Sequence, residues 1–377
     1  LEFFNPVHIV AGIDGAAYLT RFIEKQYSKL GMILLITRGM DFLQSDAYKL
    51  LKSILEPWKV REVSLTVSNP DVADMAALLE ILSGESYEGI IAVGGGSVLD
   101  TAKTMALALL VGIRGIAALR KFVLRGQYEP VVPIPWIGIP TTSGTGSEVT
   151  SWATVWDKEN ECKMSCSCDK NFAVLAVIDP IFTVTCPLSL TISSALDAVC
   201  HSTESFWARH TNEISQEFAL LAIRQIRGHL EDLAQHRQDD ALRFLIGKAS
   251  LYAGMAFSNT RTTVCHSVSY PLTEKFGIPH GVAAALTLGD FMEFNKAAIP
   301  RYDELLLAFQ CHSAQEVKSW IFRMLGLGNF STHLYDYRIT QSDIPYLVRH
   351  SFTKGRTDNN PVAVQESDVD QLLRHLV

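Results

Sequence analysis

No run in this sequence approaches the roughly 20 uninterrupted apolar residues that a helix needs to cross a bilayer, so a membrane-spanning reading is set aside. The N-terminus, Leu1-Glu2-Phe3-Phe4-Asn5-Pro6, lacks a basic stretch followed by an apolar core and does not read as a secretory signal. Clustered Lys and Arg are also missing. With a formal net charge of −7, this argues against a nucleic-acid partner. An anionic substrate must then be held by locally placed cations, since the global field opposes it. Charge is scarce, at 19% against 48% hydrophobic residues, which is the reverse of a disordered chain. The seven cysteines are irregularly spaced, and no Cys/His pair follows the Cys162, Cys166, Cys168 cluster to complete a zinc site. Reduced thiols in a cytoplasmic protein are expected.

What is present has two halves with different periods. Up to about residue 184, short apolar runs alternate with amphipathic segments. Met32–Thr37, Val63–Val67 and Gly89–Val93 read as strands, and Asp71–Leu82 reads as a helix between them. Strands alternating with helices predict a parallel sheet covered on both faces. After Asp179-Pro180, helical periodicity dominates, as in Ser215–Leu233 and Asp239–Phe257. The expected fold is an α/β N-terminal dinucleotide-binding domain over residues 1–184 plus an all-α C-terminal domain over 185–377.

Two glycine segments follow strands. Gly94-Gly95-Gly96-Ser97 opens a helix, Val98–Leu110, whose free N–H groups and positive dipole end suit a phosphate. It is neither a G-x-G-x-x-G fingerprint nor a Walker loop, because Lys103 falls in the wrong place, and a tight turn is the alternative. Thr141-Thr142-Ser143-Gly144-Thr145-Gly146-Ser147-Glu148 follows Trp136–Ile139 and offers hydroxyls and N–H groups to phosphate or ribose oxygens, the alternative being a Ser/Thr-rich turn. Two such segments in one α/β domain favour a dinucleotide lying across the strand ends.

In the second half, Asp197 and His201 stand four apart in a helical stretch, on one face. His266 and His280 lie further on, His280 in Pro279-His280-Gly281 at the expected start of a helix. One carboxylate and three imidazoles suit a first-row divalent ion, Fe2+ or Zn2+. A histidine in an apolar helix is commonly a hydrogen-bonded core residue, however. Spacing speaks only for Asp197 and His201.

These segments carry a resemblance. Gly94-Gly95-Gly96-Ser97-Val98-Leu99-Asp100-Thr101-Ala102-Lys103, Thr141 to Glu148, Asp197-Ala198-Val199-Cys200-His201 with Glu204, and Pro279-His280-Gly281 resemble the iron-containing (group III) alcohol dehydrogenases, as do Asn69-Pro70, Asp179-Pro180 and Asn360-Pro361. The resemblance implies an NAD(P)H-linked enzyme of dehydroquinate synthase-like architecture with its active site in a cleft between the domains. It assigns the metal to Asp197, His201, His266 and His280. It assigns the cofactor to Asn69, Gly95, Gly96, Ser97, Asp100, Thr141, Thr142, Thr145 and Lys163. A homo-oligomer, dimer or larger, is the expected assembly.

Three departures from the family pattern shape the functional reading. Arg38 stands where many members place an Asp that reads the adenosine ribose. A guanidinium there favours NADPH over NADH, although Asp41 remains nearby. Tyr270 stands one helical turn after His266 where many members have a second His; it is either a proton relay or packing. Asn259-Thr260-Arg261-Thr262-Thr263 replaces a stretch of small, glycine-rich residues, and Arg261 either anchors an anionic substrate group or faces outward or pairs with a Glu. With the segments around His266 and His280, it looks most like the phosphonoacetaldehyde reductases. The expected reaction is therefore metal-dependent NAD(P)H-linked reduction of a small aldehyde, such as phosphonoacetaldehyde to 2-hydroxyethylphosphonate. Alternatives are a neutral-aldehyde reductase of lactaldehyde or butanal type, a lyase or synthase on a related scaffold, and an inactive nucleotide- or metal-binding sensor.

Overall fold

The computed structural model describes residues 2–29, 31–160 and 162–377. Its strands are β1 (His8–Ala11), β2 (Met32–Arg38), β3 (Lys59–Leu65), β4 (Tyr87–Gly94), β5 (Trp136–Pro140), β6 (Trp152–Asp157), β7 (Cys162–Ser167) and β8 (Leu175–Ile178). Six of them form one sheet in the order β1-β8-β5-β4-β2-β3, parallel throughout. Its central strands are buried on both faces, as Ile33–Thr37 and Ile90–Val93 show. That is why they read as continuous apolar runs, without alternation. Edge strand β3 begins four residues before the expected Val63, because its charged Lys59, Arg61 and Glu62 hide the strand signal.

Strands β6 and β7 depart from the all-parallel expectation and pair antiparallel as a separate ribbon. The reason is the short polar turn after Asp157. Parallel neighbours need a crossover of about a dozen residues or more, and a short turn permits only a hairpin. This ribbon absorbs the cysteine cluster: Cys166 and Cys168 are buried free thiols, and burial pushes the Cys166 thiol up to about 12.

The chain divides into two compact units. One comprises Asn5–Thr142 and Ser147–Thr185; the other comprises Cys186–Val377 together with Ser143–Gly146 and the N-terminal residues through Phe4. The second glycine segment, read from sequence as part of the first domain, is therefore shared, with Ser143–Gly146 belonging to the helical unit. In the α/β unit, Asp71 caps the Val72–Leu82 helix by accepting from the N–H groups of Ala73 and Asp74, and Asp74 returns the bond. No side chain caps the Gly96–Val111 helix, whose N-cap is Gly95.

Beneath that helix lies a buried polar cluster. The Lys103 ammonium donates to Ser147 Oγ, Thr150 Oγ1 and the Trp152 carbonyl at 2.7, 3.0 and 2.9 Å. Asp100 accepts from Ser147 Oγ at 2.6 Å and from the Thr154 N–H at 2.9 Å. Burial lowers Lys103 to about 8 against the pull of Asp100 and Glu148. Burial raises Glu148 from 4.5 to about 7, opposed by its own backbone N–H and by Lys103. Folded Glu148 thus keeps a proton in that window which the unfolded chain has released. The associated stability is present below pH 4.5 and lost as pH rises through 7. Glu148→Gln should therefore show a flatter urea midpoint between about pH 5 and pH 7 than the parent; parallel pH curves for the two proteins would refute this assignment.

Candidate metal centre and cofactor loops

The Leu188–Trp207 helix buries Leu196, Val199 and Cys200 completely in the core of the helical unit. Asp197, His201 and Glu204 lie at i, i+4 and i+7, on one face of that helix. All three are nonetheless buried, so their charge must be met by neighbours.

Glu204 is met first. Its Oε1 accepts from Thr263 Oγ1 at 2.8 Å and from the Cys265 N–H at 2.7 Å, a carboxylate seated at the N-terminus of the Val264–Phe276 helix. Its Oε2 takes a very short hydrogen bond from His266 Nδ1. That bond fixes the His266 tautomer and turns Nε2 toward Asp197 Oδ1, 3.4 Å away. His201 Nδ1 donates to the Gly144 carbonyl at 3.3 Å, leaving Nε2 with its lone pair. Its ring stacks on Phe257 at 4.1 Å and on His266 at 4.5 Å. His280 is the first residue of the His280–Asn295 helix. Its Nδ1 lies 3.2 Å from Ser269 Oγ and its Nε2 lies 4.0 Å from Asp197 Oδ1.

Two glycines permit this crowding. A Cβ at Gly281 would stand 2.0 Å from the Ser193 carbonyl oxygen and 2.8 Å from Asp197 Cβ. A Cβ at Gly144 would stand 2.3 Å from the Ser194 carbonyl oxygen. Neither contact is sterically possible, so backbone approach, as much as ligand approach, requires glycine here.

Asp197 Oδ1 and His266 Nε2 are both buried, and among the described residues neither has a hydrogen-bond partner, although they face one another. Asp197, His201 and His266 each present one ligand atom, all within 4.8 Å of one another. Two orphaned polar atoms aimed at one point, within a carboxylate–imidazole set, fit a first-row divalent cation. Without an ion, the two imidazoles differ in protonation. Burial lowers His201 to about 4, against the attraction of Asp197, so its ring is neutral. Burial also disfavours charge on His266, but Glu204 and Asp197 outweigh it and raise His266 to about 10. Asp197 is desolvated too, yet the three imidazoles hold it well below the usual carboxylate range.

In the α/β unit, the first glycine segment and the start of the second gather at the carboxyl ends of the neighbouring strands β4 and β5, where Gly94 pairs with Pro140. Gly95 approaches Thr142 so closely that a Cβ would meet its Oγ1 at 3.1 Å. The Asn69 N–H donates to Ser97 Oγ at 3.0 Å, and Asn69 adopts a positive φ of 50°. Gly96 and Ser97 open the uncapped helix; Thr141 is buried, and among the described residues its hydroxyl has no partner. Arg38 ends β2 half-buried, with an unbonded Nε. The Asp100 carboxylate accepts from Ser147 Oγ and the Thr154 N–H inside the unit. Lys163 lies on β7, its ammonium 5.5 Å from the centre of the Trp156 ring.

The remaining candidates lie in the helical unit. Thr145 belongs to its Ser143–Gly146 segment. Tyr270 is buried, and its ring stacks on that of His280 at 5.8 Å. Arg261 is exposed at the end of the Asp240–Thr260 helix, with φ 62° and ψ 177°. Glu204, the Gly144 carbonyl and Phe257 were not among the sequence candidates. For Glu204 the signal was available, as the third step of the Asp197–His201 face. For the other two nothing local announces a role.

Residues 6–180 match the model of the iron-containing alcohol dehydrogenases, and residues 191–377 match that of the Fe-containing alcohol dehydrogenase family, C-terminal. Alcohol dehydrogenase 4 of Schizosaccharomyces pombe is 28% identical over 352 residues, covering 90% of this chain and 81% of its own. Phosphonoacetaldehyde reductase of Streptomyces viridochromogenes is 29% identical over 232 residues, covering 61% of this chain and 58% of its own. The crystal structure of sulfoacetaldehyde reductase from Bifidobacterium kashiwanohense in complex with NAD+ superposes with a TM-score of 0.88 at 27% identity, covering 100% of this chain and 98% of the other. The chain belongs to the iron-containing alcohol dehydrogenase family and is an NAD-linked oxidoreductase of the aldehyde/alcohol type.

Proposed function

We propose that this enzyme reduces a small anionic aldehyde, phosphonoacetaldehyde in the first instance, with NADPH and a divalent metal ion held by Asp197, His201, His266 and His280. The observation that carries the metal assignment is the facing pair of partnerless buried atoms, Asp197 Oδ1 and His266 Nε2. When bound, the ion supplies Lewis acidity toward the carbonyl oxygen, and the nicotinamide supplies the hydride. Glu204 holds the proton of His266 on Nδ1, which keeps Nε2 aimed at Asp197. The Gly144 carbonyl restrains the His201 ring at Nδ1, which also lies 3.9 Å from Asp197 Oδ2.

Arg38 is the feature that favours NADPH. A half-buried guanidinium with a free Nε at the carboxyl end of a parallel strand is suited to a 2′-phosphate. The anionic substrate follows from Arg261, five residues before His266. It is supported by two relatives whose names specify aldehydes bearing a phosphonate or a sulfonate.

Three measurements test these roles. Glu204→Gln should weaken Zn2+ binding by about 10- to 100-fold in calorimetry, because the ring it orients is freed. In the parent, affinity should also fall as the pH is lowered, since loading displaces the proton held by His266. Unchanged affinity in the variant removes Glu204 from that role. Arg38→Asp should reverse the kcat/KM preference from NADPH toward NADH, and an unaltered ratio between the cofactors refutes the 2′-phosphate assignment. Arg261→Ala should raise KM for phosphonoacetaldehyde by about 10-fold or more, the loss of one charged hydrogen bond, and should spare propionaldehyde. Equal effects on the two aldehydes count against an anion anchor at this position.

A further inference from the structure

We infer that Arg356 is a specificity-determining residue, forming with Arg261 a two-guanidinium subsite for the anionic end of the substrate. The inference rests on the anionic-aldehyde reading above and adds a residue and a device to it. Thr353-Lys354-Gly355-Arg356-Thr357 is a tight turn, in which the N–H groups of Arg356 and Thr357 both donate to the Thr353 carbonyl, at 3.1 and 3.2 Å. Gly355 takes φ 78° at its tip, a left-handed conformation suited to glycine. The turn is fastened beside the metal centre. Ser267, which follows His266, has an Oγ that accepts from the Thr353 N–H and from Thr357 Oγ1, each at 2.9 Å.

Its other end holds Arg261. The buried amide of Asn359 donates to the carbonyls of Thr260 and Thr262 at 2.8 and 3.1 Å, one on each side of Arg261. Arg261 occupies a backbone region that is essentially restricted to glycine, at a cost of about 1–3 kcal/mol. The double bond from Asn359 is what over-determines it. The result is convergence on Gly355. Arg261 Nη1 lies 3.8 Å from the position of a Gly355 Cβ, and Arg356 Nη1 lies 3.3 Å from the Gly355 carbonyl oxygen.

Arg356 is half-buried, yet it forms no ion pair among the described residues. Other arginines do, such as Arg120 with Asp157, Arg301 with Glu217 and Arg374 with Asp370. A partly desolvated guanidinium without a carboxylate, beside a second guanidinium held in a strained backbone, is an arrangement that an incoming anion stabilises. The planar fork of each can engage two oxygens of a phosphonate.

The test compares Arg356→Ala and Arg356→Lys with the parent, using phosphonoacetaldehyde and propionaldehyde as substrates and methylphosphonate binding by calorimetry. Arg356→Ala should raise KM for phosphonoacetaldehyde by about 10- to 100-fold, leave propionaldehyde within about two-fold, and abolish methylphosphonate binding. Arg356→Lys should recover part of the binding, having the charge without the fork. Equal losses on both aldehydes, or intact methylphosphonate binding in Arg356→Ala, overturn the subsite. A parent enzyme with no preference for the anionic aldehyde overturns the substrate reading. If methylphosphonate binding still depends on Arg356 in that case, the subsite itself is upheld.

Discussion

An ionised carboxylate at position 197, closed off from water, is the constraint around which the helical unit is organised. Removing such a group from water costs several kcal/mol unless opposite charge and hydrogen bonds meet it. Here the compensation comes from imidazoles, and imidazoles can meet a carboxylate only if their rings are held. His266 is held by Glu204, His201 by the Gly144 carbonyl and by stacking on Phe257, and His280 by Ser269 and the ring of Tyr270. Each ring keeps a nitrogen within 4.0 Å of an Asp197 carboxylate oxygen. The unmatched pair, Asp197 Oδ1 and His266 Nε2, marks what the protein alone does not supply there.

The glycines serve two different physical purposes. At Gly95 the missing side chain lets one loop pass close to Thr142, and the helix that follows has no side-chain cap to compete with a phosphate. At Gly144 and Gly281 it lets backbone press against the Asp197 helix, which brings a carbonyl to His201 and the start of another helix to Asp197. The same residue type thus shapes a loop suited to an anion in one unit and a cluster suited to a cation in the other.

Strain and charge meet on the far side of His266. Asn359 spends both amide protons holding the carbonyls that flank Arg261, and a residue placed in a glycine-like conformation is the outcome. Stored strain next to a reactive centre persists only where surrounding bonds outnumber the ways to relax it. Ser267 ties the same region to the turn carrying Arg356, so the candidate metal ligand His266 and the two arginines are linked by one hydrogen-bonded segment.

Local pattern was enough to read the halves of the chain, the central strands and the Asp197–His201 face. Burial on both faces writes continuous apolar runs, and a helix repeats every 3.6 residues. Glu204 was legible by the same rule, as the next step of that face. The edge strand β3 was blurred by its charges, and the β6–β7 ribbon was hidden because a hairpin depends on which strands meet, a matter no local period records. Long-range encounters were decided by the tertiary structure alone: Gly144 against His201, Asn359 across Arg261, and Arg356 beside it around Gly355. Their partners lie 57 to 99 residues apart in the first two cases, where only packing brings them within bonding distance. Sequence determined which side chains could do chemistry; the fold decided which of them share a point in space, because hydrogen bonds and charges act over ångströms and not along the chain.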